Sequence, residues 1–194
     1  MLISISSTAL SNSVDSKAKL EPVPFIIELD AAKYALRLAY DCSLNVRECG
    51  GVIYKKDNLY YVTTPITSNL PFGVDLSAYW DDKNAPSSQY HIIADYHTHI
   101  CVRENADFAN FFSPSDTEVN SGLHINGYIL SICDMRIREY NPSQDDKDDI
   151  EVDFKSGKKI YLTAGHIVDW VQDRIQPINL PKGHGLDNDP LFLN

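Results

Sequence analysis

Two histidines one residue apart, His97 and His99, follow the short apolar run Ile92-Ile93-Ala94. In a β-strand, residues i and i+2 project to the same side. Both imidazoles can therefore converge on one metal ion from the end of a strand; read without a metal, they are two surface histidines beside a turn. Downstream, Ser113-Pro114-Ser115-Asp116 places Pro where a first helical residue belongs, with Ser and Asp at capping-box spacing. A cap alone accounts for these residues, and it does not exclude a second use. Asp116, fixed in the first turn of a helix, can supply a third ligand. Two imidazoles and a carboxylate leave a fourth zinc position open for water, the arrangement of a catalytic site. Glu48, in Arg47-Glu48-Cys49-Gly50-Gly51, sits just before an apolar strand. It is either a solvated strand-edge acid or the group that takes a proton from water and later delivers it to a leaving amine. Gly50 and Gly51 let other backbone come close.

The elements that must position these residues are legible as patterns. Asp30 reads as the N-cap of a helix through Cys42, with Ala31, Ala35, Leu38 and Cys42 on one face. Val52–Lys55 and Leu59–Thr64 flank Asp57-Asn58 as a hairpin. Residues 67–89 read as a long loop rich in Ser, Pro, Asp and Asn. A strand carries His97 and His99, a second loop follows over 101–112, and a helix opens at Pro114. Residues 127–133 and 136–140 read as strands, the acidic run 145–149 as a solvated loop, and 150–154 with 159–163 as a second hairpin turning at Lys155-Ser156-Gly157-Lys158. The expected organisation is a flexible lead-in over 1–24, one domain over 25–176 and an irregular tail over 177–194, with no internal repeat.

Composition narrows the function classes. The chain has 194 residues, enough for one well-buried core, and 43% are apolar. A net charge of -10 leaves no basic footprint for nucleic acid. No run approaches the roughly 18 apolar residues of a membrane helix, and the Ser-broken N-terminus is a poor secretory signal. Cys42, Cys49, Cys101 and Cys133 show no C-x-x-C spacing. They read as reduced thiols of a protein made in the cytoplasm; export by a dedicated, signal-independent route leaves no trace in such a sequence.

Taken together, Glu48, then His97-Thr98-His99, then Ser113-Pro114-Ser115-Asp116 resembles the signature of the JAMM (MPN-plus) zinc metallopeptidases. The resemblance implies that His97, His99 and Asp116 bind Zn2+, that Glu48 is general acid/base, and that Ser113 helps stabilise the tetrahedral oxyanion. Thr98 suits the middle position. Two departures stand out. The family usually has Pro after the second His, where this chain has Ile100, and a shorter run than the 13 residues between His99 and Ser113. The extra residues read as a loop insertion that bears on substrate access.

The runs ECGGVIYKKDNLYYVTTPI, ADYHTH, FSPSD and YILSICDMRIREYNP, within residues 30–142, are similar to a JAMM-like family at the C-termini of bacterial polymorphic toxins, including RHS-repeat proteins. This implies an α/β, cytidine-deaminase-like fold with a mixed sheet flanked by helices. It further implies hydrolysis of peptide or isopeptide bonds by a toxin or effector, with a protein or peptide substrate and a cognate immunity protein as partners. Two other readings keep part of this: a catalytically silent MPN-like interaction module, and a zinc hydrolase acting on a small molecule. The deaminase P-C-x-x-C motif is absent, as is the G-x-S-x-G elbow of serine hydrolases, and no Cys has a nucleophile's setting. Asp95 and Cys101 flank the histidines within reach of a metal. His91, His124, His166 and His184 read as structural or solvated, and Trp80, Trp170, Tyr60 and Tyr61 as packing residues.

Overall fold

In the computed structural model, which describes residues 23–43, 47–68, 73–80, 90–101, 108–144, 149–153 and 159–171, the first regular element is helix α1 (Glu28–Ser43). It begins two residues before the expected cap, so Asp30 lies with Glu28 in the first turn, where carboxylates face the positive end of the helix dipole. Its buried stripe is made of Ala31, Ala32, Ala35, Leu36 and Ala39, while Leu38 and Cys42 are only half-buried. Methyl side chains keep the helix close to the sheet beneath it. The expected lead-in and tail fall outside the described residues apart from positions 23 and 24, as do the turn at 155–158, His184 and most of the acidic run.

Strands β1 (Cys49–Lys56) and β2 (Leu59–Val62) form the expected hairpin. Asp57 and Asn58 have φ of 52° and 63°, the paired left-handed conformation of a two-residue turn that matches strand twist. The region read as loop after residue 67 contributes more order than expected: β3 (Ile66–Thr67) pairs with the start of β1, and Ser77–Tyr79 form a 3-10 turn whose Tyr79 is fully buried. Strand β4 (His91–His99), helix α2 (Pro114–Leu123) and β5 (Asn126–Ser131) form a β-α-β unit in which β4 and β5 run parallel. Strand β6 (Arg136–Tyr140) returns antiparallel.

Beyond residue 145, β7 (Asp149–Asp153) and β8 (Lys159–Thr163) form the second hairpin as a separate two-stranded sheet. One strand, β9 (His166–Trp170), has no counterpart in the sequence reading. It pairs with β6 and completes a seven-stranded mixed sheet ordered β2-β1-β4-β5-β6-β9, with β3 beside β1. A Lys33–Asp169 ion pair at 2.6 Å links β9 to α1. The architecture is α/β. Among the described residues no helix is long and apolar enough to cross a membrane.

Alternation along β4 sets the two faces. Ala94 and Tyr96 join the core under α1, with Ile53, Tyr128 and Leu130. Asp95, His97 and His99 have the opposite parity, and face α2 through Asn120 and Asp116. A bulge in β4 at Ile93, opposite Ile53 and Tyr54, resets the alternation. Ile92 consequently joins the second apolar cluster, with Val52, Tyr54 and Tyr79.

The reading of the cysteines as reduced thiols is corrected. Cys42 pairs with Cys49, and Cys101 with Cys133. The first bond joins the end of α1 to the start of β1, and the second joins the segments just beyond β4 and β5. Pairing follows spatial proximity (Cα separations of 6.0 and 4.8 Å), which C-x-x-C spacing does not register. It also removes Cys101 as a metal ligand.

Candidate metal site

His97 and His99 close β4 near the middle of the sheet, 6% and 8% exposed. Their Nε2 atoms lie 3.0 Å apart. Asp116 reaches both from α2, with Oδ1 at 3.5 Å from His97 Nε2 and Oδ2 at 3.4 Å from His99 Nε2. The capping box that holds Asp116 is complete: the Ser113 hydroxyl accepts from Asp116 N, and Ser113 N donates to Asp116 Oδ2 at 2.7 Å. Capping and convergence on the histidines are thus one arrangement rather than alternatives.

Donor atoms at about 2.0–2.2 Å from a tetrahedral zinc stand roughly 3.3 Å from one another. Here the two Nε2 atoms are 3.0 Å apart and each lies 3.4–3.5 Å from a different Asp116 oxygen, so that with one ligand atom per residue the three donors lie within 4.8 Å of one another. His97, His99 and Asp116 can hold a metal ion, and the donor set fits.

Two features hold the start of β1, and Glu48 just before it, against β4, close enough for Glu48 to feel the charge of His97, His99 and Asp116. Thr98, on the α1 side of β4, accepts a hydrogen bond from Cys49 N at 3.1 Å. Gly50 pairs with His97 across β1 and β4, and a Cβ on Gly50 would stand 2.7 Å from His97 Cβ and 2.5 Å from Tyr96 O. Glycine is therefore required for β1 to approach this closely. Glu48 itself is 7% exposed and accepts a backbone hydrogen bond from Gly73. Burial raises its pKa, and the nearby His99 and His97 work against that rise.

The same electrostatics govern the ligands. Burial disfavours a charged His97, but Asp116, aided by Asp95 and Glu48, raises its pKa to about 9. Burial also works to raise Asp116, yet His97 and His99 hold it well below the usual carboxylate range. Three carboxylates, Glu48, Asp95 and Asp116, thus surround a point that calls for positive charge.

A groove of about 850 Å³ opens on this cluster. Val74, Leu76 and Trp80 line one flank and Ser115, Val119 and Leu123 the other, with Asp95, His97 and Asp116 also in its lining. Ser113 is absent from that lining. Its hydroxyl is engaged by Asp116 N and shares a 2.8 Å hydrogen bond with Ser115 Oγ. Segment 73–80, Ser115 and Asn120 are the site residues that sequence reasoning missed; the one signal that could have found the last is its i,i+4 spacing from Asp116.

His91, His124 and His166 are exposed and belong to no such cluster among the described residues. Trp170 is 60% exposed, contrary to its reading as a packing residue. Comparison with protein families, curated proteins and solved structures finds no match to this chain.

Proposed function

We propose that this chain is a zinc-dependent amide hydrolase of the JAMM kind, acting on peptide or isopeptide bonds. The observation that supports it above all is the convergence of His97, His99 and Asp116 beside the buried carboxyl of Glu48. The motif order, Glu48 then His97-Thr98-His99 then Ser113–Asp116, supports the family. A zinc ion held by His97, His99 and Asp116 would supply a water of lowered pKa and would polarise the scissile carbonyl.

The chain's own residues do the rest. Strand β4 fixes both imidazoles, and Asp116 adds the negative charge that retains a dication. Glu48 takes a proton from the attacking water and returns it to the departing amine. Apolar side chains of the groove, Val74, Leu76, Trp80, Val119 and Leu123, hold the substrate on either side of the bond. Two disulfides suit an oxidising compartment. That favours the toxin or effector setting, with an immunity protein as partner, over a cytoplasmic one. An interaction module has no need of two buried acids, Glu48 and Asp95, and the half-buried Asp116 around two histidines, and this weighs against the silent-scaffold reading.

The test is metal content of protein purified without chelator, combined with hydrolysis of peptide and isopeptide-linked substrates. About one zinc per chain and chelator-sensitive cleavage are expected. Wild-type zinc content after His97→Ala and His99→Ala would move the site elsewhere.

A further inference from the structure

One hydrogen bond beneath the ligand cluster remains without a role. Asn120 Nδ2 donates to Asp95 Oδ2 at 3.0 Å. Asp95 lies two residues before His97 on the same face of β4, and Asn120 lies one helical turn beyond Asp116 on α2. A strand advances about 6.6 Å over two residues and a helix about 6 Å over four. The Asn120–Asp95 bond and the Asp116–His97 contact are therefore successive rungs between the same two elements, almost equally spaced along each.

The lower rung is built at some expense. Asp95 is 4% exposed and Asn120 fully buried. Asp95 Oδ1 and Asn120 Oδ1 have no hydrogen-bond partner among the described residues, and an unpaired buried acceptor loses its solvation without return. An apolar pair would fill the space at lower cost. The third strand is also adapted: Gly127 sits opposite Asp95 in the parallel β4–β5 register, and a Cβ there would collide with Asn120 Oδ1 and stand 2.9 Å from its Cγ. Gly127 opens the space that the Asn120 side chain occupies. Asn120 Nδ2 also lies 3.4 Å from Asn126 O, which ties the amide to β5.

We propose that Asn120 and Asp95 are positioning residues: their hydrogen bond sets the separation of Asp116 from His97 and thereby the metal affinity of the cluster. This rests on the reading of His97, His99 and Asp116 as a metal site. Support for ligands by such outer partners is typically worth 10–100-fold in affinity.

The experiment measures zinc affinity by chelator competition and the visible absorption of the cobalt-substituted protein. It compares wild type, Asn120→Ala, Asp95→Asn and the exchanged pair Asp95→Asn with Asn120→Asp, in which the new amide can donate to the new carboxylate. Asn120→Ala is expected to weaken zinc by roughly 10–100-fold and to alter the cobalt bands, and the exchanged pair to recover part of both. Asn120→Leu, close in volume but without the amide, takes its place if the alanine variant is too unstable to purify. Unchanged zinc affinity and cobalt bands in Asn120→Ala or Asn120→Leu, with only the melting temperature lowered, would make the pair structural and overturn the inference. If wild type binds neither metal, the metal reading fails and takes this inference with it.

Discussion

The Thr98 hydroxyl holds the backbone of Cys49, accepting from its N–H at 3.1 Å and lying 3.4 Å from its carbonyl. The residue between the two histidines thus secures the residue after Glu48, so the candidate metal ligands and the proposed acid/base share one backbone clamp. Thr98→Val keeps the shape and removes the hydroxyl. It should lower stability by about 1–3 kcal/mol, because a buried N–H loses its acceptor. Zinc content should stay near wild type while turnover falls, since the ligands stay in place and Glu48 drifts. A kcat equal to wild type would show that Glu48 is held by Gly73 and the Cys42–Cys49 bond without Thr98.

Proton competition gives the cluster a pH signature. Without metal, His97 has a pKa of about 9, raised by Asp116 against the opposing effect of burial. At neutral pH the ring carries a proton that a metal must displace. Apparent zinc affinity should climb about tenfold per pH unit from neutrality to about pH 9 and then level off. Stability of the chelator-treated protein runs the other way. A group whose folded pKa is raised contributes fully below its unfolded value of 6.5, and that contribution is lost as pH rises through about 9. Asp116, held low, contributes above its ordinary value of 3.8 and loses its contribution as pH falls through its depressed folded value. Melting temperatures of the metal-free protein should therefore decline between pH 6.5 and 9. A melting temperature that is flat over that range, with zinc affinity equally flat, would contradict the protonated His97.

What could be read from the sequence was local. The Asp57-Asn58 turn, the alternation that puts His97 and His99 on one face, and the capping box at Ser113 and Asp116 are each written within a few residues. What escaped was long-range. Asn120 meets Asp95 across 25 positions, and Cys101 meets Cys133 across 32. Strand β9 is short and half-exposed, and it owes its place to pairing with β6 rather than to an alternating pattern of its own. Gly73, at the start of a segment read as loop by its turn-forming residues, donates to Glu48 only because the chain folds it back there.

The disulfides should be measurable directly. Denatured protein prepared under oxidising conditions should show no free thiol. Cys101→Ser with Cys133→Ser should cost about 2–4 kcal/mol, in line with freeing a loop of this length. Because this bond joins the segments that follow β4 and β5, zinc should also dissociate faster from the variant. Four reactive thiols in the denatured, unreduced protein would restore the reduced reading of the sequence.

Gly50→Ala tests the close approach of β1 to β4. The added methyl meets Tyr96 O and His97 Cβ, both on the neighbouring strand. Backbone cannot swing aside as a flexible side chain would, so β1 must shift. Overpacking of this kind costs about 1–3 kcal/mol, and the shift should displace both Glu48 and His97. Zinc affinity and turnover should fall together. A fully active Gly50→Ala would mean that the strands tolerate separation at this point.

The two serines before Asp116 should divide their labour. Ser113 Oγ accepts from Asp116 N and shares a hydrogen bond with Ser115 Oγ, and Ser115 lines the groove where Ser113 does not. A hydroxyl has one proton to give. If Ser113 donates it to Ser115, then Ser115 is free to donate its own toward the developing oxyanion. Ser113→Ala should cost about 1 kcal/mol from the lost cap and lower turnover through the disordered Ser115. Ser113→Asp should restore the cap and accept the Ser115 proton, so stability returns while turnover stays depressed. Ser115→Ala should leave stability near wild type, its side chain being exposed, and reduce kcat by up to about 10²–10³, the usual effect of losing one oxyanion donor. A large kcat loss in Ser113→Ala together with none in Ser115→Ala would return the oxyanion role to Ser113 itself.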